Sequence, residues 1–470
     1  MSSSVHVAVV GGGLAGATAA RELVARLPDA VVTVYESTDH VGGKLAGTEV
    51  GGVVVDVGAE SMLNRRPEAV ALATDVGLGE RLVHPEPVTA ALWTRGALRS
   101  LPPSVMGVPS SMSALAESRV LSRTGFVRAR TDLPVPTPSD DVSVASYVGR
   151  RLGREVVDVL VEPLLGGVYA GHAAELSVQA AAPAIWALHR RGSRIAHAAA
   201  EQSASAPRDL PPVFAGLDGG LWQLPRAVVD HPSIVVRTLS TVREIAPLPE
   251  GRWSLVVGPA NAAERLEADA VVLATPAAPT ARLLAPAVPV AARLLREIDY
   301  ASMAIVTLAV RRDQVASGTG GSGFLVPPVE GRAIKAATFS STKWGWLGER
   351  AGDLVIMRAS LGRAGEEHVL QRDDAELVAT AVADLRDAIG LHGPLADAHV
   401  QRWGGGLPQY TVGHLRRVEQ IGEAMAGAPG LAVCGAAYGG VGIPAVIASG
   451  RAAAQTIADH LESADQREAE

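Results

Sequence analysis

Residues 5–36 read VHVAVVGGGLAGATAARELVARLPDAVVTVYE, and this stretch limits what the chain can fold into more than any other. VHVAVV is a short β-branched run of the kind that forms a strand buried on both faces. Gly11, Gly13 and Gly16 follow in G-x-G-x-x-G spacing. Apolar residues then fall at Ala17, Ala20, Leu23, Val24 and Leu27, the spacing of one helix face. A second apolar run, VVTVY, ends at Glu36, 20 residues past Gly16. Each part has its own task toward a dinucleotide. Gly11 permits the tight turn, Gly13 lets the backbone approach a pyrophosphate, and Gly16 lets helix and strand pack closely. Gly12, Leu14 and Ala15 complete the turn at the helix N-terminus, where free N–H groups meet phosphate. Glu36, with Ser37 beside it, is placed to accept hydrogen bonds from ribose hydroxyls, and its charge repels a 2′-phosphate.

Strand, glycines, helix, strand and acid in this order predict a Rossmann-type α/β domain. At 470 residues the chain has room for two or three domains. It is 48% hydrophobic and 19% charged, the balance of a globular protein. A net charge of -7 argues against nucleic-acid partners, which require a basic face. A single cysteine, Cys434, excludes an intramolecular disulfide and a thiolate metal cluster, and the scattered histidines suggest no metal site. The N-terminus lacks the basic and apolar regions of a signal peptide, so an intracellular, reducing compartment is expected. Lysine occurs only at Lys44, Lys335 and Lys343, against 39 arginines, which we read as a bias of composition.

The run from Ala424 to Ser449 carries no charge. Glycines and two prolines interrupt it throughout, so it is expected to make turns rather than a transmembrane segment. LAVCG reads as a strand, AAYGGVGI as a glycine loop, and Pro444 as the opening of a helix.

Several segments together resemble a known family. Gly42 and Gly43 followed by Lys44, and GAES at residues 58–61, are similar to flavoproteins that include amine oxidases, phytoene desaturases and protoporphyrinogen oxidases. EPLLGGVYAG at 162–171, RWGGGLPQYTVGH at 402–414 and CGAAYGGVGIPAVIASGR at 434–451 narrow the resemblance to protoporphyrinogen and coproporphyrinogen oxidases. The matches run in order from about residue 5 to 460. Departures occur at Glu60, where the family usually has aspartate, at Met62, and at Gly404, Gly405 and Gly406.

The resemblance implies an amine-oxidase-like α/β architecture. A Rossmann-type FAD-binding domain would comprise residues 1–85, 206–281 and 416–470, a mixed β-sheet substrate domain residues 86–110 and 282–415, and a helical insertion residues 111–205. It implies non-covalent FAD held by the residues of the fingerprint, by Gly43, Lys44, Gly58, Ala59, Glu60 and Ser61, by Val242 on the adenine side, and by Trp403, Gly435, Val441, Gly442 and Ile443. Substrate contacts are expected at Arg65, Arg66, Val168 and Tyr169, the arginines taking substrate carboxylates. The flavin performs the oxidation, so no catalytic side chain is required. Dioxygen reoxidises it to give hydrogen peroxide. The substrate is a porphyrinogen with propionate groups, and the arginines and the lack of a spanning segment favour coproporphyrinogen III, with protoporphyrinogen IX the alternative. Handover to a ferrochelatase and a cytoplasmic location, with or without peripheral membrane contact, follow from the same resemblance. Two rivals are an amine oxidase and a non-catalytic FAD-bound partner of the haem pathway. The stretch 315–323, VASGTGGSG, reads as a hairpin loop, and Ser177 as the N-cap of a helix over QAAAPAIWALHRR.

Overall fold

The computed structural model describes residues 5–86, 89–207, 210–316 and 321–469. Its N-terminal part is a five-stranded parallel sheet ordered Ile234–Arg237, Val31–Tyr35, His6–Val10, Ala270–Leu273, Leu431–Val433. These strands are apolar along their length because both faces are covered. On one face lie the helices Leu14–Arg26 and Ile443–Ala469, whose Ala17, Ala20, Leu23, Ile447, Ala454 and Ile457 share one buried cluster. The other face carries Ala277–Leu284 and Pro289–Arg296. The first and last helices of the chain therefore pack together, and the glycine turn and the C-terminal glycine loop open at the same end of the sheet.

A second sheet has seven strands ordered Asp397–Pro408, Tyr300–Arg311, Leu354–Leu361, Ile334–Thr338, Gly323–Leu325, Ala91–Thr94, Ala97–Ser100. Alternation along Tyr300–Arg311 and Leu354–Leu361 sends Ala304, Val306, Leu308, Met357 and Ala359 into a core beneath the helix Asp374–Ile389. The opposite face looks toward the hairpin Gly47–Val50 and Val53–Asp56 and the segment after it.

Helices between residues 112 and 204 form a third body around Tyr147, Leu160, Leu165 and Ile185. Apolar residues recur at helical spacing through SVASYVGRRLGREVVDVLVEPLL, residues 143–165, and helices run from Val144 to Tyr169, but Gly153 at φ +96° breaks the run and Val157–Val161 widens into a π-helical turn. One expectation needs correction. Ser177 caps no long helix: its hydroxyl accepts the N–H groups of Gln179 and Ala180, and the next helix is the short Pro183–Ala187. The C-terminal helix begins at Ile443, which puts Pro444 in its first turn, as expected. Residues 317–320 of the expected hairpin loop lie outside the described residues. No helix among the described residues is long and apolar enough to cross a membrane.

Candidate active site

The glycine turn leaves no space at Gly16, where a Cβ would stand 2.0 Å from the Gly11 carbonyl oxygen. At Gly13 the nearest atom to a Cβ is 4.0 Å away, so this part of the loop is open to a ligand. Glu36, at the end of the second strand, is buried and accepts the Gly12 N–H at 2.8 Å and the Thr38 N–H at 2.8 Å. The Ser37 hydroxyl also donates to it at 3.1 Å. A carboxylate has about four acceptor positions, and the Thr38 hydroxyl is a further donor at 3.0 Å, so Glu36 staples its own loop. Beside it is a cavity of about 320 Å³ at the C-terminal ends of the strands, lined by Gly11, Tyr35, Ser37, Val242 and Thr275 among others. Crevices at this position in open α/β sheets bind dinucleotides. Lys44 has no side-chain partner among the described residues.

The segment 58–61 lies against the large sheet. Glu60 is clamped there by Lys343 Nζ at 2.7 Å, Arg358 Nη1 at 2.8 Å and the Ser340 hydroxyl at 3.0 Å. Lys343 also donates to the Ser61 hydroxyl at 2.7 Å, and Arg358 Nη2 to the Gly58 carbonyl. Burial alone would raise the Glu60 carboxyl, but the two cations hold it down at about 2. Nearby, Asp56 accepts the N–H groups of Leu221 and Trp222, and burial pushes its carboxyl up to about 7. Trp403 donates from Nε1 to the Val57 carbonyl at 3.1 Å, which sets its indole beside Gly58.

On the third side, the segment 409–414 ties the helical body to the C-terminal loop. Gln409 Nε2 donates to the Tyr169 carbonyl at 2.7 Å, the Tyr410 hydroxyl to the Ala436 carbonyl at 2.6 Å, and His414 Nε2 to the Tyr438 carbonyl at 3.3 Å. The Tyr410 ring lies 3.8 Å from the His414 ring, stacked, and 5.5 Å from Tyr169. Burial drives His414 down to about 4, which keeps it neutral. Val441 of the C-terminal loop and Leu325 of the large sheet both pack against the core of the helical body. Gly435 donates its N–H to the Ser449 hydroxyl at 3.0 Å, and Gly442 is exposed one residue before the helix opens at Ile443.

The Flavin containing amine oxidoreductase family matches residues 14–458. The chain belongs to that family. A protein of Mycobacterium tuberculosis named coproporphyrinogen III oxidase is 37% identical over 460 residues, covering 96% of each chain. One of the same name from Bacillus subtilis is 28% identical over 475 residues, covering 97% of this chain and 99% of its own. A crystal structure from Exiguobacterium, provisionally described as a protoporphyrinogen oxidase, superposes with a TM-score of 0.86 at 29% identity, covering 98% and 99%. The chain is therefore an oxidoreductase that uses a flavin.

Within this flavoenzyme the sequence-derived substrate residues separate. Val168 is 41% exposed, whereas Tyr169 is 5% exposed and packs in the core. Arg65 donates to the Pro211 carbonyl and Arg66 pairs with Glu68, both at the surface. The cations that face the large sheet's inner side are others: Lys335, Lys343, Arg358 and Arg363. Sequence reasoning did not connect them, although one signal was present. Two of the chain's three lysines lie in this region, in a protein that otherwise uses arginine.

Proposed function

We propose that this flavoenzyme oxidises coproporphyrinogen III to coproporphyrin III in haem biosynthesis, with non-covalent FAD and with dioxygen as the final electron acceptor. The observation that carries this reading is similarity along the whole chain, across all three structural bodies, to proteins named for that substrate. Three turnovers remove six hydrogens: each takes a hydride from a methylene bridge, and of the three protons lost with them two come from pyrrole nitrogens and one from the fourth bridge. Dioxygen takes the two electrons and two protons and leaves as hydrogen peroxide. When bound, FAD supplies the hydride acceptor that dioxygen reoxidises.

The chain's own residues bind and orient. Gly11, Gly12, Gly13, Leu14, Ala15 and Gly16 would hold the pyrophosphate, Glu36 and Ser37 the ribose, and Val242 the adenine. Gly43, Lys44 and residues 58–61 would run along the linker toward the ring. Trp403, Gly435, Val441, Gly442 and Ile443 would border the ring itself. Clamping of Glu60 fixes residues 58–61 before anything binds, so the linker meets a preformed surface. Cys434 is buried and its thiol is pushed up to about 12, which suits a flavin held without a thioether bond. Val168 and Leu325 give the substrate space an aliphatic wall. Arg65 and Arg66 would receive propionates at its rim. A cytoplasmic location, and transfer of the product to a ferrochelatase, complete the reading.

Protoporphyrinogen IX is the second reading, favoured by the description of the Exiguobacterium structure. The deciding experiment offers both porphyrinogens to the yellow protein in air and follows porphyrin fluorescence. A higher kcat/KM for coproporphyrinogen III is expected. Preference for protoporphyrinogen IX would reverse the substrate, and no turnover with bound FAD would overturn the reading.

A further inference from the structure

The strand Ile334–Thr338 slips in register against Leu354–Leu361 between Ile334 and Ala336. A bulge of this kind inserts one residue and re-aims its side chain, and here the inserted residue is Lys335. Ile334 and Ala337 join the core on the helix-covered side of the sheet. Lys335 goes the other way: its Nζ donates to the Gly362 carbonyl at 2.8 Å and lies 4.0 Å from Met303 Sδ. Met303 pairs across strands with Trp403, whose indole lies beside Gly58. Lys335 thus occupies the side of the sheet that the flavin segment faces.

Lys335 is 4% exposed, and no carboxylate of the described residues is within ion-pair distance of it. Burial, with Arg363 adding to it and Glu366 opposing, pushes its ammonium down to about 7. Arg363 follows the carbonyl that Lys335 bonds and is 5% exposed. Its Nη1 is 3.6 Å from Glu366, and its Nη2 is buried with no partner. The Ala364 N–H donates to the Ala170 carbonyl at 2.7 Å, so this corner abuts the turn that follows the exposed Val168.

We propose that Lys335 and Arg363 seat one carboxylate arm of the substrate, where the bulged strand, the end of Leu354–Leu361 and the turn at 167–170 meet. The proposal rests on the porphyrinogen reading above. An ammonium has three N–H donors, and the Gly362 carbonyl uses one. Met303 Sδ, a weak acceptor, faces a second, and the remaining donor, with Arg363 Nη2, would give each oxygen of a single carboxylate one partner. A buried cation without an anion is unfavourable, and an arriving carboxylate relieves that. Because both cations stand on a rigid sheet, the contact would orient the macrocycle as well as attract it.

The test uses FAD-loaded protein and three probes: coproporphyrin III with four carboxylates, protoporphyrin IX with two, and the tetramethyl ester of coproporphyrin III with none. Binding is followed by porphyrin fluorescence, with flavin absorbance and melting temperature as checks of folding. Lys335→Met should weaken coproporphyrin III binding by about 10- to 100-fold and leave the ester unchanged. Lys335→Arg should retain most of the affinity. Equal loss for acid and ester would mean a packing role and would overturn the proposal, as would no loss for either. In both cases a wild-type protein that still oxidises coproporphyrinogen III leaves the substrate reading standing. A wild type that binds none of the three overturns both.

Discussion

Around the glycine turn the polar groups belong to the backbone, and the contact from Gly12 to Glu36 spans 24 residues of sequence. Around Glu60 they belong to side chains, and its bond to Arg358 spans 298 residues. The first region is built from residues close together in sequence. The second exists only once a hairpin, a short helix and a strand of another sheet have met. Backbone sites are also cheap to desolvate, whereas a buried carboxylate is tolerable only while both cations stay in place. The two regions should therefore fail in different ways.

The largest effect is expected at the charge clamp. Arg358→Met removes one of the two cations on Glu60 and leaves charge buried with less compensation, which should cost about 3–5 kcal/mol. Adding Glu60→Gln should restore part of the loss, and denaturant unfolding of the two variants measures it. The same clamp sets an acid limit. The Glu60 carboxyl falls from an ordinary 4.5 to about 2 on folding. Its contribution is present above the ordinary value and is lost as pH falls from about 4.5 toward 2. Wild type should lose stability through that window, and a Glu60→Gln variant should lose less. A wild-type profile no steeper than the variant's would mean the clamp is not ionic.

At the glycine turn, Gly16→Ala drives a methyl into the Gly11 carbonyl, a backbone atom that cannot rotate aside. A cost of about 1–3 kcal/mol and purification without yellow colour are expected. Retention of flavin at the wild-type ratio would show that the helix can shift to make room.

This contrast also explains what was legible beforehand. Glycine spacing, strand runs and Glu36 report a local construction, so the Rossmann-type character of the first domain could be read from residues 5–36, whereas the crevice is completed by Val242 and Thr275 from far along the chain. The sequence motifs at 162–171 and 402–414 carried a family resemblance, but not that Gln409 and Tyr410 join two bodies by hydrogen bonds. Lys335 and Arg358 sit in strands that read as ordinary sheet and Arg363 just beyond the end of one, and the direction of Lys335 depends on a register slip that no period-2 pattern announces. Ser177 misled for a local reason: its hydroxyl satisfies a turn with the same bond that would cap a helix.

Glu36→Ala lies between the extremes. It takes acceptors from Gly12 and Thr38 as well as from a ribose, so FAD retention should weaken by about 10- to 100-fold, measured by titrating flavin back into stripped protein. Stability should fall less than for Arg358→Met, because the groups left unpaired are neutral N–H groups rather than a buried charge. A larger loss of stability than of flavin affinity would make Glu36 a loop staple first.

The smallest effect on folding is expected at Arg66. Its pair with Glu68 is at the surface, and such pairs contribute about 0–1 kcal/mol, so Arg66→Ala should melt within a degree or two of wild type. Its kinetic effect separates the rim from the interior. A solvated guanidinium attracts carboxylates at long range without fixing them, and salt screens it. Arg66→Ala should raise KM for coproporphyrinogen III more than for protoporphyrinogen IX, and the difference should shrink as salt is added. Lys335→Met, at a buried position that salt screens less, should keep its effect at high salt. If Arg66→Ala changes neither KM, carboxylate recognition belongs to the buried cations alone.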